Sequence, residues 1–249
     1  MVESGFRLSC YKAIIFDLDS TLTDTQSYPL KASMWLLGKI TDDVDSIAEE
    51  YLNHLVINYR RGIKEIVDGA EYRKPYDIVK RAIQEALKTM SLEVDSGLIE
   101  EATRLFRWLH VENSTIYPGV EELLKKLQNL DVKLGVVTNS FEKHLELILS
   151  KLNLIDYFKC TVDGAVVHAF KPSPEPFQHA LNCLGYGVRD TLFIGDEYFA
   201  DIVGATKLGI DAIWVNNRGG DLDRMIDKYS ESSRPLMVVA SVAELKKFI

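Results

Sequence analysis

The sequence is poor in cysteine and in long apolar runs, and each shortage excludes a class of protein. Its three cysteines (Cys10, Cys160 and Cys183) are too few and too scattered for a disulfide framework or a Cys-x-x-Cys metal site. No stretch approaches the 18 or more apolar residues, roughly, of a membrane-spanning helix. Because Glu3 and Arg7 precede no apolar run, we also expect no signal peptide. We therefore expect a cytoplasmic protein that crosses no membrane.

Basic residues are in the minority. The chain has 29 Lys and Arg residues against 37 Asp and Glu residues, which gives a formal net charge of −8. Nucleic-acid binding needs clustered basic residues, and the pairs Arg60-Arg61 and Arg73-Lys74 both lie beside acidic neighbours. We therefore expect no nucleic-acid partner. The 249 residues allow one large domain, or one domain with a sizeable insertion.

Five short apolar runs predict strands that are buried on both faces, because none of them alternates cleanly with polar residues. They are residues 13–16, 134–137, 192–194, 212–215 and 236–239. Most are followed by helical patterns, which span residues 120–130, 141–152, 174–184, 199–208 and a last segment from 242. This order predicts an α/β fold with a doubly wound parallel sheet.

The alternation is interrupted once, from about residue 26 to residue 112, where only helical periodicity is found. One helical stripe consists of Leu98, Ala102, Leu105, Phe106 and Leu109. We therefore predict a core formed by residues 1–25 and 114–249, split by a helical insertion over residues 26–113.

Polar residues follow the predicted strands where open parallel sheets bind their ligands, at the carboxyl ends. We expect four carboxylates, one hydroxyl and one amine to meet at one edge: Asp17, Asp19, Asp196, Asp201, Thr138 and Lys171.

The pair Asp17 and Asp19 points most directly to chemistry. Side chains two residues apart on an extended segment project to the same side, and two carboxylates there repel unless a cation or a proton lies between them. Asp17 can be a metal ligand and a nucleophile, while Asp19 transfers a proton. Asp196 can complete an oxygen-only site, which suits Mg²⁺. With Lys171 as a phosphate-binding charge, this set describes phosphoryl transfer through an aspartyl-phosphate.

Two predicted helix starts lie near the same edge. Ser173 is predicted to be an N-cap, with Pro174 as the first helical residue. Asn139 or Ser140 is predicted to cap a helix that starts near Phe141 and whose N-terminal amides favour an anion.

These motifs resemble those of the haloacid dehalogenase (HAD) superfamily of hydrolases, in its phosphatase-like branch. Residues 14–22 (Ile-Ile-Phe-Asp-Leu-Asp-Ser-Thr-Leu) resemble the first motif and residues 136–139 the second. Lys171-Pro172 resembles the third motif and residues 195–202 the fourth, while residues 117–120 resemble the segment that leads from the cap back to the core.

The resemblance implies a Rossmann-like catalytic core with a helical cap inserted between the first and second motifs. It implies that Asp17 attacks phosphorus and that Asp19 acts as acid and then as base. The phosphoryl oxygens would be held by Thr138, the Asn139 backbone and Lys171. The Mg²⁺ ligands would be Asp17, the Asp19 carbonyl and Asp196, with Asp201 in support.

The residue at position 19 distinguishes between the branches of the family. In the dehalogenating branch this position is typically not an aspartate, so Asp19 favours phosphate esters over carbon–halogen bonds. We expect a Mg²⁺-dependent phosphatase of a small phosphorylated metabolite. A phosphomutase with the same aspartyl-phosphate chemistry is the alternative, since the motifs do not separate the two. A phosphonatase, which would need a cap lysine such as Lys31, Lys39 or Lys64, a dehalogenase and a non-catalytic interaction protein are further alternatives.

Ser20 stands where many relatives have glycine, a departure that we expect to change the stiffness of the loop and not its chemistry. The sequence indicates neither the particular phosphate ester nor the oligomeric state.

Overall fold

The computed structural model describes residues 6–249, which form two compact units. The first unit comprises the described residues up to Asp24 together with Thr115–Ile249, and the second comprises Thr25–Ser114. That the first is a catalytic core and the second a cap stays a prediction. Glu3, which entered the expectation of no signal peptide, lies outside the described residues.

The first unit is built on a six-stranded sheet in which all neighbouring strands are parallel, with the order β5-β4-β1-β6-β7-β8. A separate antiparallel ribbon pairs β2 with β3, the segments by which the chain leaves and re-enters this unit. The strands are β1 (Ala13–Phe16), β2 (Thr23–Asp24), β3 (Thr115–Ile116), β4 (Lys133–Thr138), β5 (Cys160–Asp163), β6 (Thr191–Gly195), β7 (Asp211–Val215) and β8 (Met237–Val239). The predicted Rossmann-like α/β class is confirmed.

The α-helices of both units are α1 (Ser27–Leu37), α2 (Val44–Val67), α3 (Pro75–Thr89), α4 (Ser96–Asn113), α5 (Val120–Asn129), α6 (His144–Lys151), α7 (Gly164–Val167), α8 (Pro174–Leu184), α9 (Gly204–Lys207) and α10 (Leu222–Tyr229). A π-helix (Tyr198–Val203) precedes α9, and a 3-10 helix (Val242–Phe248) follows β8. Within the described residues, no helix is both long enough and apolar enough to span a membrane. The cytoplasmic location stays a prediction.

The strand order reverses at β1, and this reversal decides where a ligand can bind. From β1 the sheet continues to β4 and β5 on one side and to β6, β7 and β8 on the other. All four residues of β1 are fully buried, because the strand is central and has neighbours on both edges as well as cover on both faces. The crevice at the carboxyl end of β1 is therefore the topological switch point at which doubly wound sheets bind ligands.

Strand β5 was not predicted from the sequence. Its residues, Cys-Thr-Val-Asp, contain no continuous apolar run, yet they pair in parallel with β4 from Gly135↔Cys160 to Thr138↔Asp163. Because β5 is one of the two edge strands of the sheet, it needs less apolar surface than a central strand does.

Two helix predictions need correction. The helix expected near Phe141 begins at His144, after Lys143 in the left-handed conformation with φ 66°, so neither Asn139 nor Ser140 caps it. The helix expected over residues 199–208 is a π-helix followed by α9. Pro174 is at the start of α8 as predicted, but the side chain of the N-cap residue Ser173 makes no capping hydrogen bond.

In its described residues the second unit consists of helices α1 to α4 without a strand. Helices α2 and α3 approach closely at Gly62, where a Cβ atom would lie only 2.7 Å from Cγ2 of Ile78. The buried face of α4 is rotated from the predicted stripe and includes Thr103. The Thr103 hydroxyl donates a hydrogen bond to the Ile99 carbonyl oxygen at 2.7 Å, so this polar group is satisfied in the core. A satisfied threonine can occupy a core position that apolar periodicity does not reveal.

Replacement of Phe177 by alanine should test the packing beneath the sheet. Phe177 is fully buried in α8, and its ring centroid lies 5.1 Å from that of Phe193 in β6. We expect Phe177→Ala to lower the free energy of unfolding by about 3–5 kcal/mol, measured by denaturant titration. The control Leu147→Ala, at a side chain that is 53% exposed, should change it by less than about 0.5 kcal/mol. Equal effects of the two changes would contradict this packing.

Candidate active site

The loop after β1 begins by continuing the sheet. The Asp17 amide donates to the Ile194 carbonyl oxygen at 2.8 Å, so Asp17 is held at the carboxyl end of the strand pair β1–β6. The loop then turns tightly around the Leu18 carbonyl oxygen, which accepts hydrogen bonds from the amides of Leu22 at 2.9 Å and Thr23 at 3.0 Å. Asp17 is therefore buried, whereas Asp19, one position beyond Leu18, is half-buried.

Ser20 occupies a backbone conformation that favours glycine. Its φ is 62°, in the left-handed region, where a Cβ atom costs energy. In this chain the serine instead adds a hydroxyl group to the loop.

The ammonium group of Lys171 joins three elements. It is buried, and its Nζ donates to Asp17 Oδ1 at 2.6 Å, to Asp201 Oδ1 at 2.6 Å and to the Val137 carbonyl oxygen at 2.8 Å. These contacts use all three N–H donors of an ammonium group. Lys171 is thus first of all the counter-ion of two buried carboxylates.

Asp201 is placed beneath the site by the π-helix and by a neighbouring glycine. It is fully buried, and its Oδ2 accepts a hydrogen bond from the Glu197 amide at 2.9 Å. A Cβ atom at Gly195 would lie only 2.3 Å from Asp201 Oδ2, so position 195 must be glycine if Asp201 is to lie there. Single-turn π-helices are frequent at functional sites.

Asp196 is held both by its backbone and by its side chain. Its carbonyl oxygen accepts a hydrogen bond from the Trp214 indole at 2.9 Å, and its Oδ1 accepts a long one from the Thr21 hydroxyl at 3.5 Å. Its Oδ2 lies 3.0 Å from Arg218 Nη2 as an ion pair, but it is buried without a well-aligned hydrogen bond from the described residues.

Three carboxylates lie close enough to share one cation. Among the described residues, Asp17, Asp196 and Asp201 each offer a carboxylate oxygen, and these oxygens lie within 4.8 Å of one another. All donors are oxygen, as a hard cation requires, and the buried Oδ2 of Asp196 still lacks a hydrogen bond. The residues present therefore fit Mg²⁺.

The grouping differs in part from the predicted ligand set. Asp201, predicted only as a supporting residue, is a member of the carboxylate cluster. The carboxylate of Asp19 is not a member, and the resemblance assigned the Asp19 backbone carbonyl to the metal, which a grouping of side chains leaves untested. The predicted set of ligands stays a prediction.

Burial sets the protonation of the cluster. It raises the pKa of Asp17 to about 7, although the Lys171 ammonium acts in the opposite direction. Burial, assisted by the charges of Asp17 and Asp201, raises the pKa of Asp196 to about 9, while Arg218 opposes the shift. For Lys171, burial alone would lower the pKa, but Asp17 and Asp201 raise it above its ordinary value. The excess of buried carboxylate over buried ammonium is the electrostatic condition that a divalent cation relieves.

Thr138 and Asn139 lie at the end of β4, which is the neighbour of β1, the strand that Asp17 follows. The Thr138 hydroxyl accepts a hydrogen bond from the Ser140 amide at 3.2 Å. The Asn139 side chain forms two hydrogen bonds with the backbone of Lys171: its Nδ2 donates to the carbonyl oxygen at 2.9 Å, and its Oδ1 accepts from the amide at 2.8 Å. Asn139 therefore anchors the segment that carries Lys171 and the cis peptide bond to Pro172.

Sequence reasoning missed Gly195 as the space for Asp201, and it missed Trp214 and Arg218 as partners of Asp196. The position of Arg218 could have identified it, because Arg218 follows the predicted strand 212–215 and so lies at the carboxyl edge of the sheet, like the residues that were predicted. A lone arginine in a glycine-containing loop carries no motif, and only the strand order places it beside β6.

Comparison with known proteins identifies the family of this chain. A family model described as haloacid dehalogenase-like hydrolase matches residues 11–209. The phosphoglycolate phosphatase of Nitrosococcus oceani is 29% identical over 69% of this chain and 76% of its own length. The glyceraldehyde 3-phosphate phosphatase of Methanothermobacter thermautotrophicus is 24% identical over 96% of this chain and 99% of its own length.

Among solved structures, the magnesium-bound HAD-hydrolase YfnB from Bacillus subtilis superposes with a TM-score of 0.75. It is 24% identical and is matched over 95% of this chain and 97% of that chain, a likeness that shows the fold alone. The resemblance noted in the motifs is confirmed, as is the expectation of a phosphatase-type enzyme. Because the family model spans most of the sequence, the chain belongs to the haloacid dehalogenase-like hydrolase family.

Proposed function

We propose that the chain is a Mg²⁺-dependent phosphatase that hydrolyses a small phosphorylated metabolite through an aspartyl-phosphate on Asp17. The observation that carries the proposal is the buried cluster of Asp17, Asp196 and Asp201 around the Lys171 ammonium, at the carboxyl ends of the central strands. The substrate class is supported by the relatives, which are phosphatases of phosphoglycolate and glyceraldehyde 3-phosphate.

The Mg²⁺ ion would be held by the carboxylates of Asp17 and Asp196 and by the Asp19 carbonyl, with Asp201 supporting the set. When bound, the ion supplies positive charge that neutralises the carboxylates and the phosphoryl oxygens.

The nucleophile is prepared by its contact with Lys171. The ammonium holds Asp17 Oδ1 at 2.6 Å and leaves Oδ2 as the attacking oxygen. Attack on phosphorus forms the bond from Asp17 oxygen to phosphorus and breaks the bond from phosphorus to the ester oxygen. Lys171 stays protonated throughout, because its two carboxylate partners raise its pKa. The Thr138 hydroxyl and the backbone N–H of Asn139 would hold the phosphoryl oxygens.

Asp19 moves the proton. It would protonate the leaving alcohol oxygen and, once ionised, accept a proton from the water that hydrolyses the aspartyl-phosphate. Asp19 suits both steps because it is half-buried, so that it can face solvent and substrate in turn, whereas Asp17 is buried and held by Lys171.

We propose that the second unit, residues 26–113 in the predicted division, acts as the cap that selects the substrate. The reacting phosphoryl group is common to all candidate esters, so specificity must come from groups outside the core cluster. Two of the lysines considered for phosphonate chemistry already have partners: Lys64 forms an ion pair with Asp68 at 2.5 Å, and Lys39 lies 5.6 Å from the Trp35 ring centroid. No observation favours that chemistry.

Phosphate release by the purified protein should depend on both aspartates of the first motif. We expect activity with Mg²⁺ on at least one member of a panel of phosphorylated sugars, polyols, glycolate and nucleotides. Asp17→Asn should abolish it, a loss of more than ~10³-fold, because the nucleophile is removed. Asp19→Asn should lower kcat by about 10²–10⁴-fold, because proton transfer is lost.

The matched control is Asp131→Asn, at a side chain that is 96% exposed and outside the site. It makes the same chemical change and should leave activity intact. An active Asp17→Asn enzyme, or a wild type without activity on the whole panel, would refute the proposed mechanism.

Product analysis should distinguish hydrolysis from phosphoryl transfer back to substrate. We expect one inorganic phosphate for each ester consumed, since Asp19 can activate water after the alcohol has left. Both products are measured, phosphate by colorimetry and the organic product by mass spectrometry. An isomeric sugar phosphate formed without free phosphate would identify a phosphomutase instead.

Mg²⁺ affinity should rise with pH. Ligand carboxylates must be ionised, and burial raises the pKa of Asp17 to about 7 and that of Asp196 to about 9, so each proton still bound at low pH competes with the metal. Between about pH 6 and pH 9 the affinity should increase by up to about tenfold per pH unit for each proton displaced. Isothermal titration calorimetry at constant ionic strength measures it, and an affinity that is flat or falls with pH would contradict the assignment.

A further inference from the structure

The loop after β7 is a closed structure that presents Arg218 at its tip. The Asn216 side chain closes the loop by two hydrogen bonds, with Nδ2 donating to the Gly220 carbonyl oxygen at 2.7 Å and Oδ1 accepting from the Gly220 amide at 2.7 Å. Gly219 permits the turn with φ 68°, in the left-handed region. We call residues 216–220 the β7 loop.

The β7 loop is tied to the loop that carries Asp17 and Asp19. Asn217 Nδ2 donates to the Ser20 carbonyl oxygen at 2.6 Å, and Arg218 Nη2 donates to the Ser20 hydroxyl at 3.0 Å. The same Nη2 lies 3.0 Å from Oδ2 of Asp196. One guanidinium group therefore bridges the two loops to which the expected Mg²⁺ ligands belong.

We propose that Arg218 is a positioning residue for the divalent cation, which fixes the Asp196 carboxylate relative to the Asp17–Ser20 loop. The inference rests on the proposed function only in requiring that the site binds a divalent cation. Partners of metal ligands commonly orient those ligands, and their loss typically weakens metal binding about 10–100-fold. The planar guanidinium suits this role because its donors diverge in a fixed geometry.

A positive charge beside a metal ligand also repels the metal, so two effects of opposite sign act at Arg218. The repulsion is screened, because the Arg218 side chain is 52% exposed and its Nη1 lies 3.8 Å from Oε2 of Glu197. The orienting effect is less subject to screening, because the Asp196 side chain that Arg218 contacts is only 5% exposed. The orienting effect therefore prevails.

The experiment compares Mg²⁺ binding by wild type, Arg218→Gln and Arg218→Lys, by isothermal titration calorimetry with MgCl₂ and no substrate. We expect Arg218→Gln to bind Mg²⁺ about 10–100-fold more weakly. Arg218→Lys keeps the positive charge but loses the planar guanidinium, so its Mg²⁺ affinity should lie between those of the wild type and Arg218→Gln. Arg224→Gln, which removes the same charge from an 87%-exposed side chain in α10, should bind as wild type does.

Thermal unfolding in EDTA completes the test. If Arg218 only stabilised the loop, Arg218→Gln would lower Tm in EDTA and leave the Mg²⁺ affinity unchanged, and this result would overturn the proposal. Tighter binding by Arg218→Gln would overturn it as well, since repulsion would then prevail. If the wild type bound neither Mg²⁺ nor Mn²⁺, the inference and the metal dependence of the proposed function would fail together, whereas failure of the inference alone leaves wild-type binding intact.

Discussion

The site depends on one buried ammonium group that is shared between two carboxylates. Lys171 lies between Asp17 and Asp201 at 2.6 Å from each, while Asp196 is buried nearby with a raised pKa. A carboxylate removed from water without a partner is costly, so these elements are held together as much by the need for compensation as by apolar packing. Three carboxylates thus share a single buried ammonium group, and this excess of acid makes the cluster suitable for a divalent cation.

Several neighbouring contacts serve to keep that ammonium in place. Asn139 holds the backbone of Lys171 from the end of β4, and the Val137 carbonyl oxygen accepts the third N–H of the side chain. Beneath the site, the Phe193 ring centroid lies 5.3 Å from Nζ, and its face is a favourable surface for a cation. The hydrophobic core and the charged cluster are thus in direct contact, so a substitution that disturbs the packing around Phe193 also disturbs Lys171.

The sequence predicted the class of fold and most of the residues around the cluster for a simple reason. Central parallel strands are continuous apolar runs, and a polar residue that follows one must lie at the carboxyl edge, as Asp17 and Thr138 do. The edge strand β5 contains no continuous apolar run and was missed, whereas the other edge strand, β8, was predicted from its apolar run. The late start of α6 at His144 was missed for a different reason, because the left-handed conformation of Lys143 has no recognisable signal in the sequence.

The contacts between side chains could not be predicted from the sequence, for a different reason. That Asn139 would hold Lys171, or that Arg218 would reach both Ser20 and Asp196, depends on which strands are neighbours and on the course of two loops. Strand order is a property of the whole chain, and residue types alone leave several orders open. Motifs identify the reacting groups, whereas tertiary structure is needed to identify what holds them.

Gly195 shows how close packing at the site restricts which substitutions can be accepted during evolution. Its missing side chain is the space into which Asp201 fits, with only 2.3 Å between a Cβ at position 195 and the Asp201 carboxylate. Every other amino acid carries that carbon, so no replacement, however small or chemically mild, is a gradual step away from glycine. Variation at position 195 is therefore open only to a lineage that has already moved or abandoned the acid behind it.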